Sequence, residues 1–221
     1  MFNSISGSYD FLNHFLSFGI DFYWRKKMIL KMGRFDPRII LDVATGTGDL
    51  AIAARNIYPE KIIGVDIAES MLEIAGRKIR KRRLGDLISL LQGDSEDLPF
   101  GDNIFDSVMA GFGVRNFADL DRGLSEIYRV LKNDGRIWVL ELSEPGYFPV
   151  KQLYRIYFKK ITPLIGKAIS KDRSAYSYLP DSVEKFPSGE RFIEHLKAAG
   201  FTELKRFPST FGIATIYCGK K

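Results

Sequence analysis

Short apolar segments alternate with amphipathic segments along the chain from about residue 38 onward. A short apolar run predicts a buried strand, and apolar residues at every third or fourth position predict a helix. Strands that alternate with helices require crossover connections, which place the strands parallel to one another. The predicted strands cover residues 38–43, 61–66, 87–92, 105–110, 136–142, 202–207 and 213–218, and the predicted helices cover residues 49–57, 69–81, 120–131, 150–161 and 188–199. We therefore predict an α/β fold in which helices cover both faces of a mostly parallel, seven-stranded sheet.

The pattern changes at both ends of this region. Residues 1–35 are rich in aromatic side chains, and we expect them to form a cap of short helices on the domain. After residue 145 two prolines and a glycine interrupt the alternation, which predicts a helical insertion over residues 146–187. We interpret residues 1–221 as one domain that carries this cap and this insertion.

Composition narrows the chemistry. The 221 residues carry a formal net charge of +6 and include one cysteine, Cys218, and two histidines, His14 and His195. A disulfide framework or a metal site built from these side chains is not expected, and we predict no metal. Residues 1–16 lack the features of a signal peptide, and no apolar run approaches the ~20 residues of a membrane span, so we expect a cytoplasmic protein. The charge suggests an acidic partner but does not choose between nucleic acid and anionic lipid.

The most informative segment is the first predicted strand and the turn that follows it, within residues 40–51. The strand leads into a turn of small residues that includes Thr45, Gly46 and Gly48, and then into a helix. Such a turn exposes backbone N–H groups and lets a ligand approach without meeting a Cβ, which indicates a nucleotide-type site. Asp66 lies 18 residues after Gly48, at the end of the second predicted strand, where it can accept hydrogen bonds from both ribose hydroxyls.

This turn is compatible with two kinds of cofactor, a nicotinamide dinucleotide and S-adenosylmethionine. Gly46, Gly48 and Ala51 match a loose form of the dinucleotide fingerprint. A dehydrogenase, however, uses such a turn to bind a pyrophosphate, and Asp42, directly before the turn, would repel that anion. S-adenosylmethionine carries an ammonium group that Asp42 can hold, directly or through water. We therefore predict S-adenosylmethionine, with S-adenosylhomocysteine as the product, in preference to a nicotinamide dinucleotide.

The third predicted strand is followed by Asp94 and Ser95. An acid and a neighbouring amide at this place can contact the edge of an adenine ring. The alternative for Asp94 is a structural one, a turn or helix-capping residue. Its position after the third strand favours the adenine contact.

Three segments are similar to one enzyme family: residues 41–49, 112–116 and 175–183. They resemble the quinone-biosynthesis C-methyltransferases, the family of demethylmenaquinone methyltransferase, and the similarity extends along nearly the whole chain. The first segment is shared by methyltransferases generally, whereas the other two are much narrower. The resemblance implies a Rossmann-like class I methyltransferase fold. It also implies transfer of a methyl group to a ring carbon of a prenylated quinol, either demethylmenaquinol or its benzoquinol equivalent.

Two groups of residues match functional positions of that family. The positions that contact the methyl donor are Thr45, Asp66, Asp94 and Ser95. The positions that border the acceptor are Tyr9, Arg115 and Asn116. Because the pKa of an arginine exceeds about 12, Arg115 is a poor general base, and we expect it to stabilise a quinolate oxygen or to orient a water that removes the proton. The structural alternatives are a surface arginine at position 115, a helix-capping Asn116 and a packed aromatic ring at Tyr9.

A prenylated quinol resides in the bilayer, so the resemblance also implies contact with a membrane. Residues 151–185 carry eight basic and three acidic side chains, and residues 150–165 mix aromatic, aliphatic and basic ones as interfacial helices do. We predict that the insertion is a lid and a landing surface, which docks peripherally on the anionic inner face of the membrane. The alternative is a packed helix with a basic outer face. The sequence does not determine the oligomeric state, and a homo-oligomer is compatible with it.

Other functions stay open as alternatives. A methyltransferase that acts on nucleic acid is disfavoured, because neither an Asn/Asp-Pro-Pro-Tyr/Phe loop nor a Pro-Cys nucleophile follows the fourth predicted strand. We therefore predict no nucleic-acid partner. Another small-molecule acceptor, or a non-catalytic scaffold that binds the donor, would use the same donor motif.

Overall fold

The computed structural model describes residue 17, residues 19–156 and residues 182–221. Seven strands form one sheet, and their bounds are β1 Ile39–Val43, β2 Lys61–Asp66, β3 Ile88–Gln92, β4 Phe105–Gly111, β5 Leu131–Leu142, β6 Thr202–Ser209 and β7 Ala214–Lys220. Their order across the sheet is β3-β2-β1-β4-β5-β7-β6. Strands β1 to β5 pair in parallel, and β7 runs antiparallel to both β5 and β6. The predicted α/β fold with a mostly parallel, seven-stranded sheet is confirmed.

Six α-helices with named bounds accompany this sheet in the described residues, and residues 182–185 are helical as well. The bounds of the six are α1 Ile20–Met32, α2 Asp49–Ala54, α3 Glu69–Lys81, α4 Leu120–Val130, α5 Val150–Ile156 and α6 Glu190–Ala198. Local chemistry explains where some begin: Asp119 caps α4, and its carboxylate accepts a hydrogen bond of 3.0 Å from the Arg122 N–H. None of the described helices is long and apolar enough to cross a membrane.

The central strands are buried on both faces, as expected of a parallel sheet between two helical layers. On one face Leu41 and Val43 of β1 pack in a cluster with side chains of α4 and α6. On the other face Ile40 packs in a second cluster, which contains Met28 of α1 and side chains of α2. Alternate residues of one strand thus stabilise opposite layers.

Two predicted boundaries were wrong. The fifth strand begins at Leu131 and not at residue 136, because Leu131 already pairs with Phe105. The register of β4 and β5 is irregular after this pair, and Asp134, at φ 68°, lies within the irregular stretch. The last helix begins at Glu190 and not at residue 188. Gly189 occupies the N-cap position at φ 73°, and its N–H donates to the Tyr217 hydroxyl at 2.8 Å.

Three further elements differ from the predictions in extent. The helix predicted over residues 49–57 is α-helical to Ala54 and continues as a 3-10 turn, Arg55–Ile57. Within the predicted cap, residues 20–32 form the single 13-residue helix α1, and the rest of the cap before residue 17 lies outside the described residues. The helix predicted to end near residue 161 is described only as far as Ile156.

The topology brings several loops to one edge of the sheet. Strands β1, β2, β3 and β4 are parallel neighbours, so their carboxyl ends and the loops that follow lie at the same edge. Helix α1 also reaches this edge, where the Trp24 indole is 6.1 Å from the Phe112 ring that follows β4, measured between centroids. In an open α/β sheet this edge is where ligands bind.

Candidate active site

A cavity of about 250 Å³ opens at the carboxyl edge of the sheet. Its wall consists of the loops after β1, β2, β3 and β4, together with one side chain of α1. Six of the seven predicted donor residues line it, whereas Gly48 does not; the six are Asp42, Thr45, Gly46, Asp66, Asp94 and Ser95. The structure therefore brings together residues that are up to 53 positions apart in the sequence, from Asp42 to Ser95.

The bend after β1 depends on three residues in the left-handed region: Ala44 at φ 53°, Gly46 at φ 56° and Gly48 at φ 80°. The two glycines differ in what surrounds them. A Cβ on Gly46 would meet no atom within 4 Å, whereas a Cβ on Gly48 would lie 3.1 Å from the Ala75 Cβ of α3. Gly46 thus leaves its side of the cavity open to a ligand, and Gly48 lets the start of α2 approach α3 closely.

Asp42 lies at the bottom of the bend and is fully buried. Its Oδ2 accepts a hydrogen bond of 2.6 Å from the Thr45 hydroxyl, while its Oδ1 makes no hydrogen bond of ordinary geometry with the described residues. Burial raises the pKa of Asp42 to about 7, although the Thr45 hydrogen bond opposes that shift. A buried carboxylate with an oxygen available is suited to a cationic ligand.

Asp66 joins two loops through its carboxylate. Its Oδ2 accepts a hydrogen bond of 2.7 Å from the Gly46 N–H, and its Oδ1 accepts one of 2.9 Å from the Ala68 N–H. Burial raises the pKa of Asp66, and these backbone hydrogen bonds partly offset the shift. Each carboxylate oxygen retains room for a second hydrogen bond, which a ribose hydroxyl could donate.

Asp94 is a turn residue, which was the structural alternative for this position, and it also lines the cavity. Its Oδ1 accepts a hydrogen bond of 2.9 Å from the Glu96 N–H, which closes the turn after β3. Asp94 and Ser95 also face the cavity. A structural role and contact with an adenine edge are therefore compatible at this position.

Of the three predicted acceptor residues, the structure describes Arg115 and Asn116, whose surroundings differ. Asn116 lines the cavity, whereas Arg115 does not. The Arg115 Nη1 donates to Glu141 Oε2 at 3.0 Å and to Oε1 at 3.1 Å, and the side chains are 5% and 0% exposed. Tyr9 lies outside the described residues.

The wall of the cavity is strongly acidic. Five carboxylates line it, those of Asp42, Asp49, Asp66, Asp94 and Glu96. Such a wall would repel the pyrophosphate of a dinucleotide and favours a ligand with positive charge. The model of the ubiE/COQ5 methyltransferase family matches residues 1–221. The chain belongs to this family.

Individual relatives agree over the full length. The chain is 48% identical over 222 residues to the demethylmenaquinone methyltransferase of Bacteroides fragilis, which covers 100% of this chain and 91% of that protein. It is 45% identical over 223 residues to the ubiquinone/menaquinone biosynthesis C-methyltransferase UbiE of Geotalea daltonii, with 100% and 94% covered. A SAM-dependent methyltransferase structure from Thermotoga maritima shares the fold, with a TM-score of 0.63, 20% identity and 100% of both chains covered.

The chain is thus an S-adenosylmethionine-dependent methyltransferase with the class I fold, as predicted. Two structural observations show that the residues fit this donor. The buried Asp42 Oδ1 can accept a hydrogen bond from the ammonium group of the donor, and the open side of Gly46 leaves space for the amino-acid part of the donor. Among the described residues, no group of three or more His, Cys, Asp or Glu side chains is placed to hold a metal ion.

Several residues of this methyltransferase site were not predicted. Lys78 of α3 donates to Asp49 Oδ1 at 2.6 Å and to Thr47 Oγ1 at 3.0 Å, and so ties the start of α2 to α3. Arg25 of α1 lines the cavity, and Glu141 of β5 pairs with Arg115. Glu141 interrupts the apolar run of residues 137–142, which was a usable signal, although the sequence gives it no partner. Arg25 gave no such signal, because it stands beside Lys26 and Lys27.

Ala44 stands where many methyltransferases have a glycine, and the fold accommodates its methyl group at Gly113. A Cβ on Gly113 would lie 2.6 Å from the Ala44 Cβ. The two positions therefore share the space of one methyl group at the wall of the donor cavity.

We predict that Gly113→Ala weakens donor binding about tenfold or more, because overpacking costs about 1–3 kcal/mol and here displaces the bend. Adding Ala44→Gly should restore most of the affinity, since it removes the methyl group that clashes. Calorimetric titration with S-adenosylhomocysteine measures both effects. Gly85→Ala is the matched control, because a Cβ there meets no atom within 4 Å. A double variant that binds as weakly as Gly113→Ala would contradict this account.

The raised pKa of Asp42 predicts a pH-dependent stability. The native state keeps a proton on Asp42 up to about pH 7, whereas the unfolded chain releases it near pH ~4. The free energy of unfolding should therefore fall as pH rises from ~4 to ~7, by at most about 1.4 kcal/mol per pH unit, and then level off. Asp42→Asn should lack this decline, which urea unfolding between pH 5.5 and 8 without donor will show.

The variant itself is the control for all other titrating groups, because only the difference between the two proteins is interpreted. A difference that stays constant over this range would mean that Asp42 titrates well below it. Donor affinity should follow the same group: it should rise with pH more steeply in the wild type than in Asp42→Asn.

Proposed function

We propose that this enzyme methylates a ring carbon of a reduced, prenylated quinol, with demethylmenaquinol as the first candidate and a benzoquinol equivalent as the second. The observation that carries the proposal is the full-length similarity to relatives named for these reactions, at 48% and 45% identity. We further propose that residues 1–221 act as one methyltransferase domain, with residues 1–35 as a cap and residues 146–187 as a lid.

The main contributions of the protein to methyl transfer are to position the two substrates and to exclude water from them. The donor supplies a methyl group already activated by a sulfonium. A phenolic ring carbon becomes nucleophilic when the adjacent hydroxyl loses its proton, because the oxyanion increases the electron density at the ortho carbon. Phe112 and Phe117 line the cavity at the end of β4 and can exclude water around the reacting atoms. The neighbouring Asn116 amide can donate a hydrogen bond to the oxyanion.

Arg115 lies outside the cavity lining and stabilises the segment that follows β4. Its Nη1 donates to the Phe112 carbonyl and to Glu141, so it fixes the segment that carries Asn116. The family resemblance implies a second role for Arg115, contact with the quinolate oxygen or with a water that takes the proton. Tyr9 remains a predicted third member of this cluster.

We predict that Arg115→Ala destabilises the protein by about 3–5 kcal/mol, because it leaves the Glu141 carboxylate buried without its partner. Loss of turnover in that variant alone would therefore be uninformative. The double variant Arg115→Met/Glu141→Gln removes both charges and should recover most of the stability. If Arg115 contacts the acceptor, the turnover of the double variant should stay about 100-fold below that of the wild type, while the affinity of the double variant for the donor matches the wild type.

The assay uses labelled S-adenosylmethionine with demethylmenaquinol, and mass spectrometry locates the new methyl group. Arg38→Ala is the matched control, since its pair with Glu60 is exposed and should contribute about 0–1 kcal/mol. Normal turnover in the stable double variant would show that Arg115 has no part in the reaction. Donor binding without transfer to any quinol would favour the scaffold alternative, and transfer to nucleic acid would replace the proposed acceptor.

Membrane contact is part of the proposal, since the acceptor is a lipid. Four large apolar side chains of residues 147–156 are exposed: Tyr147, Phe148, Leu153 and Ile156. Phe211 is also exposed, and the next residue, Gly212, accepts a hydrogen bond of 2.7 Å from the Ser143 hydroxyl, four residues before Tyr147. These exposed side chains, and the basic sequence of the insertion, support docking on the anionic inner face of a bilayer, with the protein otherwise in the cytoplasm.

We predict that the protein floats with vesicles containing phosphatidylglycerol at low ionic strength and is released by salt, because weak charge attraction is screened. Phe148→Ser/Phe211→Ser should lower the bound fraction about tenfold. Full burial of each ring in the bilayer would contribute about 1.5–3 kcal/mol of binding free energy, and partial burial contributes less. Tyr58→Ser is the control: this ring is 90% exposed but precedes β2, at the opposite edge of the sheet. Equal binding of all three proteins would exclude this surface.

A further inference from the structure

The donor cavity contains one cation among its described lining residues, and that cation has no assigned role. Five carboxylates line the wall, and Arg25 of α1 is the single basic side chain with them. The donor is a zwitterion in its amino-acid part: its ammonium and its carboxylate are bonded to the same carbon. A site that binds both groups must therefore offer opposite charges close to each other.

Arg25 is held rigidly at the cavity wall. Its side chain is 10% exposed, and its Nη1 forms an ion pair with the Asp21 carboxylate one turn earlier on α1. The guanidinium carbon lies 5.3 Å from the centroid of the Phe112 ring, at cation–π distance. Asp21 thus fixes one side of the guanidinium and Phe112 another.

The guanidinium still has N–H groups for a ligand. It carries five N–H donors in a planar fork, and the Asp21 contact uses Nη1. A fork of this kind matches the two oxygens of a carboxylate. The positive charge is also close enough to Asp42 to lower the pKa of that carboxyl, against the larger effect of burial. The geometry agrees, because the guanidinium faces Phe112, and a Cβ on the next residue, Gly113, would lie 2.6 Å from the Ala44 Cβ, two positions after Asp42.

We propose that Arg25 binds the carboxylate of S-adenosylmethionine, while Asp42 binds the ammonium group. Arg25 would then be a specificity-determining residue that selects the intact amino-acid part of the donor. The inference rests on the donor site of this methyltransferase and not on the identity of the acceptor. It makes the helix α1, outside the sheet, an integral part of the donor site.

The test compares two ligands on two proteins by calorimetry, without any acceptor. The ligands are S-adenosylmethionine and its decarboxylated analogue, which keeps the amine but lacks the carboxylate. Arg25→Gln should bind S-adenosylmethionine about 10- to 100-fold more weakly, the range of a charge-assisted hydrogen bond. Its affinity for the decarboxylated analogue should change less than about threefold.

Two further variants keep the experiment decisive. Removing Arg25 leaves Asp21 buried, so Asp21→Asn/Arg25→Gln serves if the single variant does not fold. Arg25→Lys should recover part of the affinity for S-adenosylmethionine, because it keeps the charge but not the fork. Lys26→Gln, one position along α1 and exposed, should bind both ligands like the wild type.

Equal weakening of both ligands in Arg25→Gln would overturn the proposal, because it would mean that Arg25 only shapes the wall. Unchanged affinity for both ligands would overturn it as well. The same holds if donor binding is intact and only the Michaelis constant for the quinol rises, which would place Arg25 at the acceptor. A wild type that methylates no quinol would remove the proposed function but leave this result valid.

Discussion

The donor site depends on the Asp66 carboxylate, which holds two backbone segments at once. One oxygen accepts from Gly46 in the bend after β1, and the other accepts from Ala68 at the start of α3. Neighbouring parallel strands place these segments side by side, but the pairing of β1 with β2 ends before the loops. The carboxylate extends that pairing into the loops, so the shape of the cavity follows from a side chain as much as from the sheet.

This arrangement concentrates negative charge where water is scarce. Burial raises the pKa of both Asp42 and Asp66, which shows that the wall is electrostatically unfavourable in the absence of a ligand. A donor with a sulfonium and an ammonium group relieves that condition. After methyl transfer the sulfonium charge is gone, whereas the ammonium group that Asp42 can hold is common to the donor and the product.

The sequence predicted those features that are encoded locally. Most strands appear as apolar runs, although β6 is largely polar. The bend after β1 appears as small residues between a strand and a helix. These features could be found without a structure. The pairing of Arg115 with Glu141 could not, because it joins a loop to a strand 26 positions away. Arg25 was equally hidden: it belongs to a helix of low apparent amphipathicity, and only the packing of α1 on the sheet brings it to the cavity. The strand β5 was predicted too short because its irregularity resembles a turn.

Cys218, the only thiol of the chain, lies in β7 next to β5 and is 3% exposed. Burial raises the pKa of this thiol, so little of it is present as the reactive thiolate. Quinols oxidise readily in air to quinones, and quinones alkylate accessible thiolates. An enzyme that handles such compounds would inactivate itself through an exposed cysteine. Because its one sulfhydryl is enclosed in the sheet, that thiol is shielded from the oxidised form of the proposed substrate.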